Sequence, residues 1–232
     1  MMRDTLLRVR SAVKRFFRPP VIVGRVEVER TTERHGSLYG GWTVDPTLLG
    51  KDSVVYSVGV GEDITWDLAM IDRFGCVIHA MDPTPRSIEY VKGQRVPAGF
   101  VMHGWGLAAR DGELTFYPPE DPSHVSHTIL PRESTAGRAI TVPVLRLSTI
   151  MGRLGHTRLD VLKIDIEGAE YEVIEDLASS GYEIGQLLIE FHHRFPEVGV
   201  ERTRRGIETL RGAGYRIFSI SPSGEEYSFI RA

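Results

Sequence analysis

The chain has 232 residues, 41% of them hydrophobic, which is enough for one well-cored α/β domain with a short appendage and too few for two. Its 28 basic and 31 acidic residues leave a net charge of −3, so there is no overall field for holding DNA or RNA, and no nucleic-acid partner is expected. A lone cysteine, Cys76, excludes an internal disulfide, a cysteine-based zinc site and a CxxC redox centre, and it fits a reducing compartment, the cytoplasm.

The opening segment, MMRDTLLRVRSAVKRFFRPP, sets Leu6, Val9, Val13, Phe16 and Phe17 at helical spacing among six basic residues. This predicts a basic amphipathic helix over 1–20, without the apolar run of a secretory signal or a transmembrane span. Such a helix suits peripheral contact with an anionic membrane or docking on a partner; packing against its own domain is the simpler expectation. Residues 21–51 form an extension, with VIVGRVEVER read as a short strand and HGSLYGGWTVDP as a glycine-rich loop. Trp42 in that loop is read as core rather than as a sugar-stacking ring.

From 52 to 232 the pattern is one catalytic domain. Strand-like runs alternate with helical patterns: VVYSV, then 63–72; CVIHAM, then 84–92; FVMHGW; DVLKI, then 169–179; QLLIEF, then 201–212. The alternation predicts a parallel sheet with helices on both faces. YRIFSI and EYSFI flank SPSGE with no room for a crossover helix, so they are expected as an antiparallel hairpin. The extended stretches ELTFY and ITVPV, joined by PPEDPSHVSHTIL, read as an insertion on the substrate side, where His124, Ser126 and His127 line an acceptor pocket or face solvent.

The first strand runs into Gly59 and Gly61, where the backbone can approach a ligand without a Cβ clash. Asp82, closing the second strand, is placed to accept the ribose hydroxyls of an adenosine. Glu62 and Asp63 follow the glycines. A pyrophosphate wants bare amides there, whereas a methionine moiety brings an ammonium and a sulfonium, so two carboxylates favour S-adenosylmethionine over a dinucleotide. Asp63 also reads as an N-cap.

The segment LDVLKIDIEGAEYEVIEDL ends a central strand at Asp165, turns at Gly168 and starts a helix at Glu170. KIDIEGAE, together with VVYSVGVGED, MDPTP, GLAARDG, VPVLRLSTIM and IEFHHRF in that order, resembles the FkbM family of methyltransferases over roughly residues 40–230. The resemblance implies a class I, Rossmann-like fold: a doubly wound, seven-stranded, mostly parallel α/β sheet in the order 3-2-1-4-5-7-6 with an antiparallel C-terminal hairpin. It also implies methyl transfer from S-adenosylmethionine, usually to a hydroxyl of a sugar, polyketide or similar small molecule. Family members commonly place an acidic residue before the first glycine, where this chain has Ser57; among the cofactor-side residues the ammonium contact then falls to Glu62 and Asp63. By position, the adenine wall is carried to Trp105, Gly106 and Leu107.

In QLLIEFHHRF the alternation of a strand turns Glu190 and His192 to one face. With the order above, Asp165, Glu190 and His192 converge at the carboxyl edge beside the sulfonium. Asp165 then faces substrate or cofactor, and a neutral His192 acts as the base that takes the acceptor's proton. The same three could instead hold a divalent cation, which is the less favoured reading, so no metal ligand is assigned. Glu167 and Glu170 read as turn and first-turn helix residues. Two competitors remain: a noncatalytic S-adenosylmethionine- or nucleotide-binding regulatory module, and a nicotinamide-dependent oxidoreductase. The acceptor's identity and the oligomeric state are not written in these residues.

Overall fold

The computed structural model describes residues 19–118 and 133–232. The expected N-terminal helix falls outside them apart from Pro19 and Pro20, and so does most of the PPEDPSHVSHTIL loop, including His124, Ser126 and His127. In chain order the elements are β1 (Glu33–His35), β2 (Trp42–Val44), β3 (Val54–Val58), α1 (Thr65–Phe74), β4 (Val77–Met81), α2 (Pro85–Lys92) and β5 (Phe100–His103). They continue with β6 (Gly106–Leu107), β7 (Gly112–Phe116), β8 (Ile140–Leu145), α3 (Leu147–Leu154), β9 (Arg158–Ile164), α4 (Glu170–Ser180), β10 (Glu183–Glu190), α5 (Gly199–Gly212), β11 (Tyr215–Ile220) and β12 (Glu226–Arg231).

Seven strands form the main sheet in the order β11-β12-β10-β9-β3-β4-β5. The five central and right-hand strands run parallel, and β12 pairs antiparallel with both β10 and β11. This is the expected 3-2-1-4-5-7-6 order with its C-terminal hairpin. The central strands carry apolar residues at nearly every position because both faces are covered. Trp42, Val55, Trp66, Met70 and Ile78 pack one side, while Val58, Ile150, Leu162, Ile174 and Phe229 pack the other. A small second sheet, β6-β8-β7, contains the two stretches expected as an insertion.

Three features depart from the expectation. Residues 21–30 form no strand: the chain only touches the sheet edge, where Glu27 N and Val28 N both donate to Ile217 O at 2.8 and 3.2 Å. Ile217 borders a register shift in β11, where the strand is locally irregular. The glycine-rich stretch 35–46 holds the turn of the β1–β2 hairpin, 36–41, and β2 itself, and the three-residue strands are too short to show alternation. α3 lay outside the expected alternation, although Leu147, Ile150, Met151 and Leu154 follow helical spacing and the first three are buried.

The hairpin is tied to the sheet. The buried Gln186 side chain accepts from Asp45 N at 2.8 Å and donates to Asp45 O at 3.0 Å, and Ser228 Oγ donates to Thr43 O at 2.7 Å. Trp42 is accordingly core, with Lys163 Nζ 5.3 Å from its ring centroid. Among the described residues no helix is long and apolar enough to cross a membrane.

Candidate active site

The parallel strands β3, β4, β9 and β10 end together, so their following loops share one edge of the sheet. After β3 the chain turns at Gly59, with φ 82, and its amide donates to Met81 O at 2.9 Å. A Cβ on Gly59 would lie 1.7 Å from Asp165 O, so only glycine lets this loop rest against the turn after β9. Lys163 Nζ donates to Gly59 O at 2.9 Å and fixes the same junction from below. Its charged neighbour is Asp67 of α1, fully buried; burial raises that carboxyl to about 6, against the pull of Lys163 and Ser57. Ser57 thus lies wholly inside the sheet against Asp67 and offers a cofactor no surface, which corrects its place among the cofactor-side residues.

Asp82 does close β4 at this edge. Its Oδ2 accepts from Val60 N at 3.1 Å and Gly61 N at 3.0 Å, and its Oδ1 from Thr84 N at 2.9 Å and Thr84 Oγ1 at 2.6 Å. An ionised carboxylate has about four acceptor positions, and all four are taken. Asp82 therefore clamps the glycine loop to the start of α2. The two carboxylates expected to attract a cation are also engaged. Glu62 pairs with Arg86 through both oxygens at 3.0 and 3.3 Å. Asp63 accepts from Thr65 N and Oγ1 at 2.9 and 2.6 Å and from Ser37 Oγ at 2.7 Å, so it serves the helix start and the hairpin. Arg86 and Ser37 are distant in sequence, which is why the fold rather than the motif decides this.

The adenine wall is likewise rearranged. Gly106 and Leu107 form β6 and are buried; a Cβ on Gly106 would meet Pro83 and Val144 at 3.2 and 3.3 Å. Trp105 stacks instead on His103, centroids 4.7 Å apart, with the Arg153 guanidinium 5.7 Å from its ring centroid.

The turns after β9 and β10 bring together what the sequence paired. Asp165 N donates to Val58 O at 3.0 Å, and Glu190 is the last residue of β10. His192, two residues on, is buried with its Nε2 3.7 Å from Asp165 Oδ1 and 4.0 Å from Glu190 Oε1. One ligand atom from each of the three lies within 4.8 Å of the others. Two residues read as turn and helix formers join them. Glu167, at φ 50 in the left-handed region, sets Oε2 3.3 Å from His192 Nε2. Glu170 is fully buried: Oε2 accepts from Gly168 N at 2.9 Å, and Oε1 accepts from His192 N at 2.9 Å and lies 3.4 Å from His192 Nδ1. Burial opposes charge on both, yet Glu167, Glu170 and Glu190 hold the His192 imidazolium well above its ordinary pKa, and His192 holds Glu170 below its own. A neutral imidazole is the premise for His192 as base, and the surrounding glutamates work against it by favouring the protonated ring.

A family model described as the Methyltransferase FkbM domain matches residues 54–217, which is most of the chain and includes every loop of this edge. The chain belongs to the FkbM methyltransferase family. It is similar to the Probable methyltransferase-like protein 24 of Rattus norvegicus, 29% identical over 148 residues, covering 63% of this chain and 34% of the relative. It is also similar to the Hexuronic acid methyltransferase AglP of Haloferax volcanii, 21% identical over 140 residues and 56% of each chain. The chain thus spans about a third of the first relative and just over half of the second. Solved structures similar to it include fibrillarin of Aeropyrum pernix with natively bound S-adenosyl-L-methionine, at TM-score 0.43, 12% identity and 79% and 66% coverage of this chain and that one. Fibrillarin of Methanococcus jannaschii matches at TM-score 0.48, 10% identity and 91% and 86% coverage.

In this FkbM-family chain nearly every polar position of KIDIEGAE has a structural role, with Lys163 on the Gly59 carbonyl, Asp165 at the edge, Glu167 facing His192, and Glu170 holding His192 from behind. A second group went unnoticed in the sequence. On β4 and β5, His79 Nδ1 and His103 Nε2 are 3.1 Å apart, and His156 packs edge-on to His79 while its Nδ1 meets Tyr56 OH at 2.8 Å. The alternation that aligns Tyr56 with His79 across β3 and β4 was the available signal. A shallow cavity of about 280 Å³ beside His79 and His156 opens at the starts of β3 and β4, the edge opposite the loops just described.

Proposed function

We propose that this chain transfers a methyl group from S-adenosylmethionine to a hydroxyl of a small-molecule acceptor, with sugars and uronic acids the first class to test. Support comes from one juxtaposition above all: the glycine loop lies against the backbone of Asp165, so Asp165, Glu167 and Glu190 present carboxylates beside the place where the FkbM family would seat its donor. An acidic mouth fits a sulfonium and would repel a pyrophosphate. The name of the hexuronic acid methyltransferase relative is the reason for starting with sugars.

When bound, S-adenosylmethionine supplies an electrophilic methyl carbon on a positively charged sulfur. The residues of the chain do the rest. Gly61 leaves open space at the strand end, and Asp82 shapes that loop through Val60 and Gly61. For Asp82 to grip a ribose diol as well, the diol replaces one of its four donors; Gly61, with open space where a Cβ would point, is where the loop can yield. Asp165, Glu167 or Glu190 accepts the hydroxyl proton while the new oxygen–carbon bond forms in line with the breaking carbon–sulfur bond. The carboxylates, not the protonated His192, are the bases in this scheme.

The test is incubation with isotope-labelled S-adenosylmethionine and a panel of sugars, uronic acids, lipids and metabolites, with mass spectrometry of products, alongside calorimetry for donor binding. A methylated product is expected from the wild type. Asp82→Ala should lose at least roughly tenfold in donor affinity, the loss of a charged acceptor and of the loop it holds. Tight NAD binding without any response to S-adenosylmethionine would overturn the assignment.

A further inference from the structure

We propose that Asp165, Glu190 and His192 hold one divalent cation of the magnesium or manganese type at the carboxyl edge of the sheet, placed to receive the acceptor's hydroxyl oxygen. The ligands come from positions that the fold fixes independently. Ile164 and Ile189 are direct partners across β9 and β10, so Asp165 and Glu190 follow paired positions on adjacent strands, and His192 returns over them from the next turn. One oxygen or nitrogen from each lies within 4.8 Å of the other two. With bonds of about 2.1 Å, neighbouring ligand atoms on an octahedral ion stand ~3 Å apart and opposite ones ~4.2 Å. His192 Nε2 is 3.7 Å from Asp165 Oδ1 and 4.0 Å from Glu190 Oε1, inside that interval and too long for direct hydrogen bonds.

The histidine is the second, independent pointer to a ligand. It is more than nine-tenths buried, and its Nε2 faces the carboxylates of Asp165, Glu167 and Glu190 at 3.7, 3.3 and 4.0 Å. Its other nitrogen, Nδ1, sits 3.4 Å from Glu170 Oε1. Metal-bound histidines are habitually backed in this way, because a carboxylate on one ring nitrogen fixes the tautomer that leaves the lone pair on the other. Glu170 can do this rigidly, since it is fully buried and also bound to the amides of Gly168 and His192. Two carboxylates and one imidazole suit an oxygen-preferring divalent ion better than a soft one. A cation there replaces the proton as the partner of Nε2, and a hydroxyl coordinated to it gives up its own proton more readily.

The inference deepens the methyl-transfer reading and rests on it only for the acceptor's part, since cation binding is measured without donor or acceptor. The full chain, stripped with a chelator, is titrated with Mn2+ and the free ion followed by its electron paramagnetic resonance signal. One bound equivalent is expected. Glu190→Gln, a conservative change at a partly exposed position, and His192→Ala should each weaken binding by roughly tenfold or more, and Glu170→Gln by roughly tenfold through the ring it orients. Circular dichroism of each variant separates lost binding from lost folding, and Glu190→Gln decides alone where His192→Ala does not fold. Absence of bound Mn2+ at about millimolar ion, or wild-type affinity in folded Glu190→Gln, overturns the cation site. Calorimetry keeps the two readings apart: donor binding without Mn2+ binding removes the cation site only, and Mn2+ binding without donor binding removes the donor assignment only.

Discussion

Glu170 serves two turns with one carboxylate, the amide of Gly168 through Oε2 and the amide and ring of His192 through Oε1, from a position sealed off from solvent. Truncating it strands two buried amides and a charged imidazole together. Glu170→Ala is expected to cost about 3–5 kcal/mol in urea unfolding, the range for breaking a buried charge pair, and Glu170→Gln less, because the amide oxygen can still accept. A Glu170→Ala variant within about 1 kcal/mol of wild type would show that something else holds these turns. The same residue read from sequence as a helix-start acid because local spacing reports only its own helix; its partner His192 is 22 residues away.

At the scale of elements, the site depends on how closely the loop after β3 meets the turn after β9. Gly59 and Gly61 both have positive φ, yet only the first is pressed against another backbone. Gly61→Ala should cost about 1–2 kcal/mol, the ordinary penalty for a side chain in the left-handed region. Gly59→Ala adds a contact of 1.7 Å with the Asp165 carbonyl, so one of the two loops must move. Its cost should exceed that of Gly61→Ala by at least about 2 kcal/mol and should also abolish donor binding. Equal denaturation midpoints for the two variants would mean that the loops do not touch. The glycines were visible as a strand-to-helix turn, but the contact that distinguishes them arises only once β9 pairs beside β3.

For the molecule as a whole, the histidines beside β4 and β5 shape the response to acid. Burial, with help from His156 and His103, lowers His79 to about 4, and burial also lowers His103 and His156. In the unfolded chain such groups titrate near ~6.5, so between that value and the folded one the unfolded state binds more protons. The stability they contribute is present above about pH 6.5 and is lost as pH falls towards about 4. Asp67, raised to about 6 by burial, works the other way, since its folded form takes up a proton first. A wild-type profile therefore mixes opposing slopes, and the comparison with His79→Gln isolates one of them. Between about pH 7.5 and pH 5 the wild type should lose melting temperature faster than the variant; parallel profiles would rule out the cluster as an acid-sensitive element.

The residues themselves determined the parallel sheet, the C-terminal hairpin and the family, and the resemblance to that family implied the strand order. Those properties follow from apolar runs of strand length, from the absence of a crossover helix between Ile220 and Glu226, and from the unbroken KIDIEGAE stretch, all of which are local in the chain. They also brought Asp165, Glu190 and His192 to one edge, because alternation along a strand and the order of two strands suffice for that. Only the tertiary structure decided what each charge does. Arg86 reaches Glu62, Ser37 and Thr65 occupy Asp63, two loop amides and Thr84 fill Asp82, and three glutamates surround His192. The state of a carboxylate or an imidazole depends on groups within a few ångströms, and in this fold many of those neighbours, among them Arg86, Ser37 and Glu170, come from distant parts of the chain.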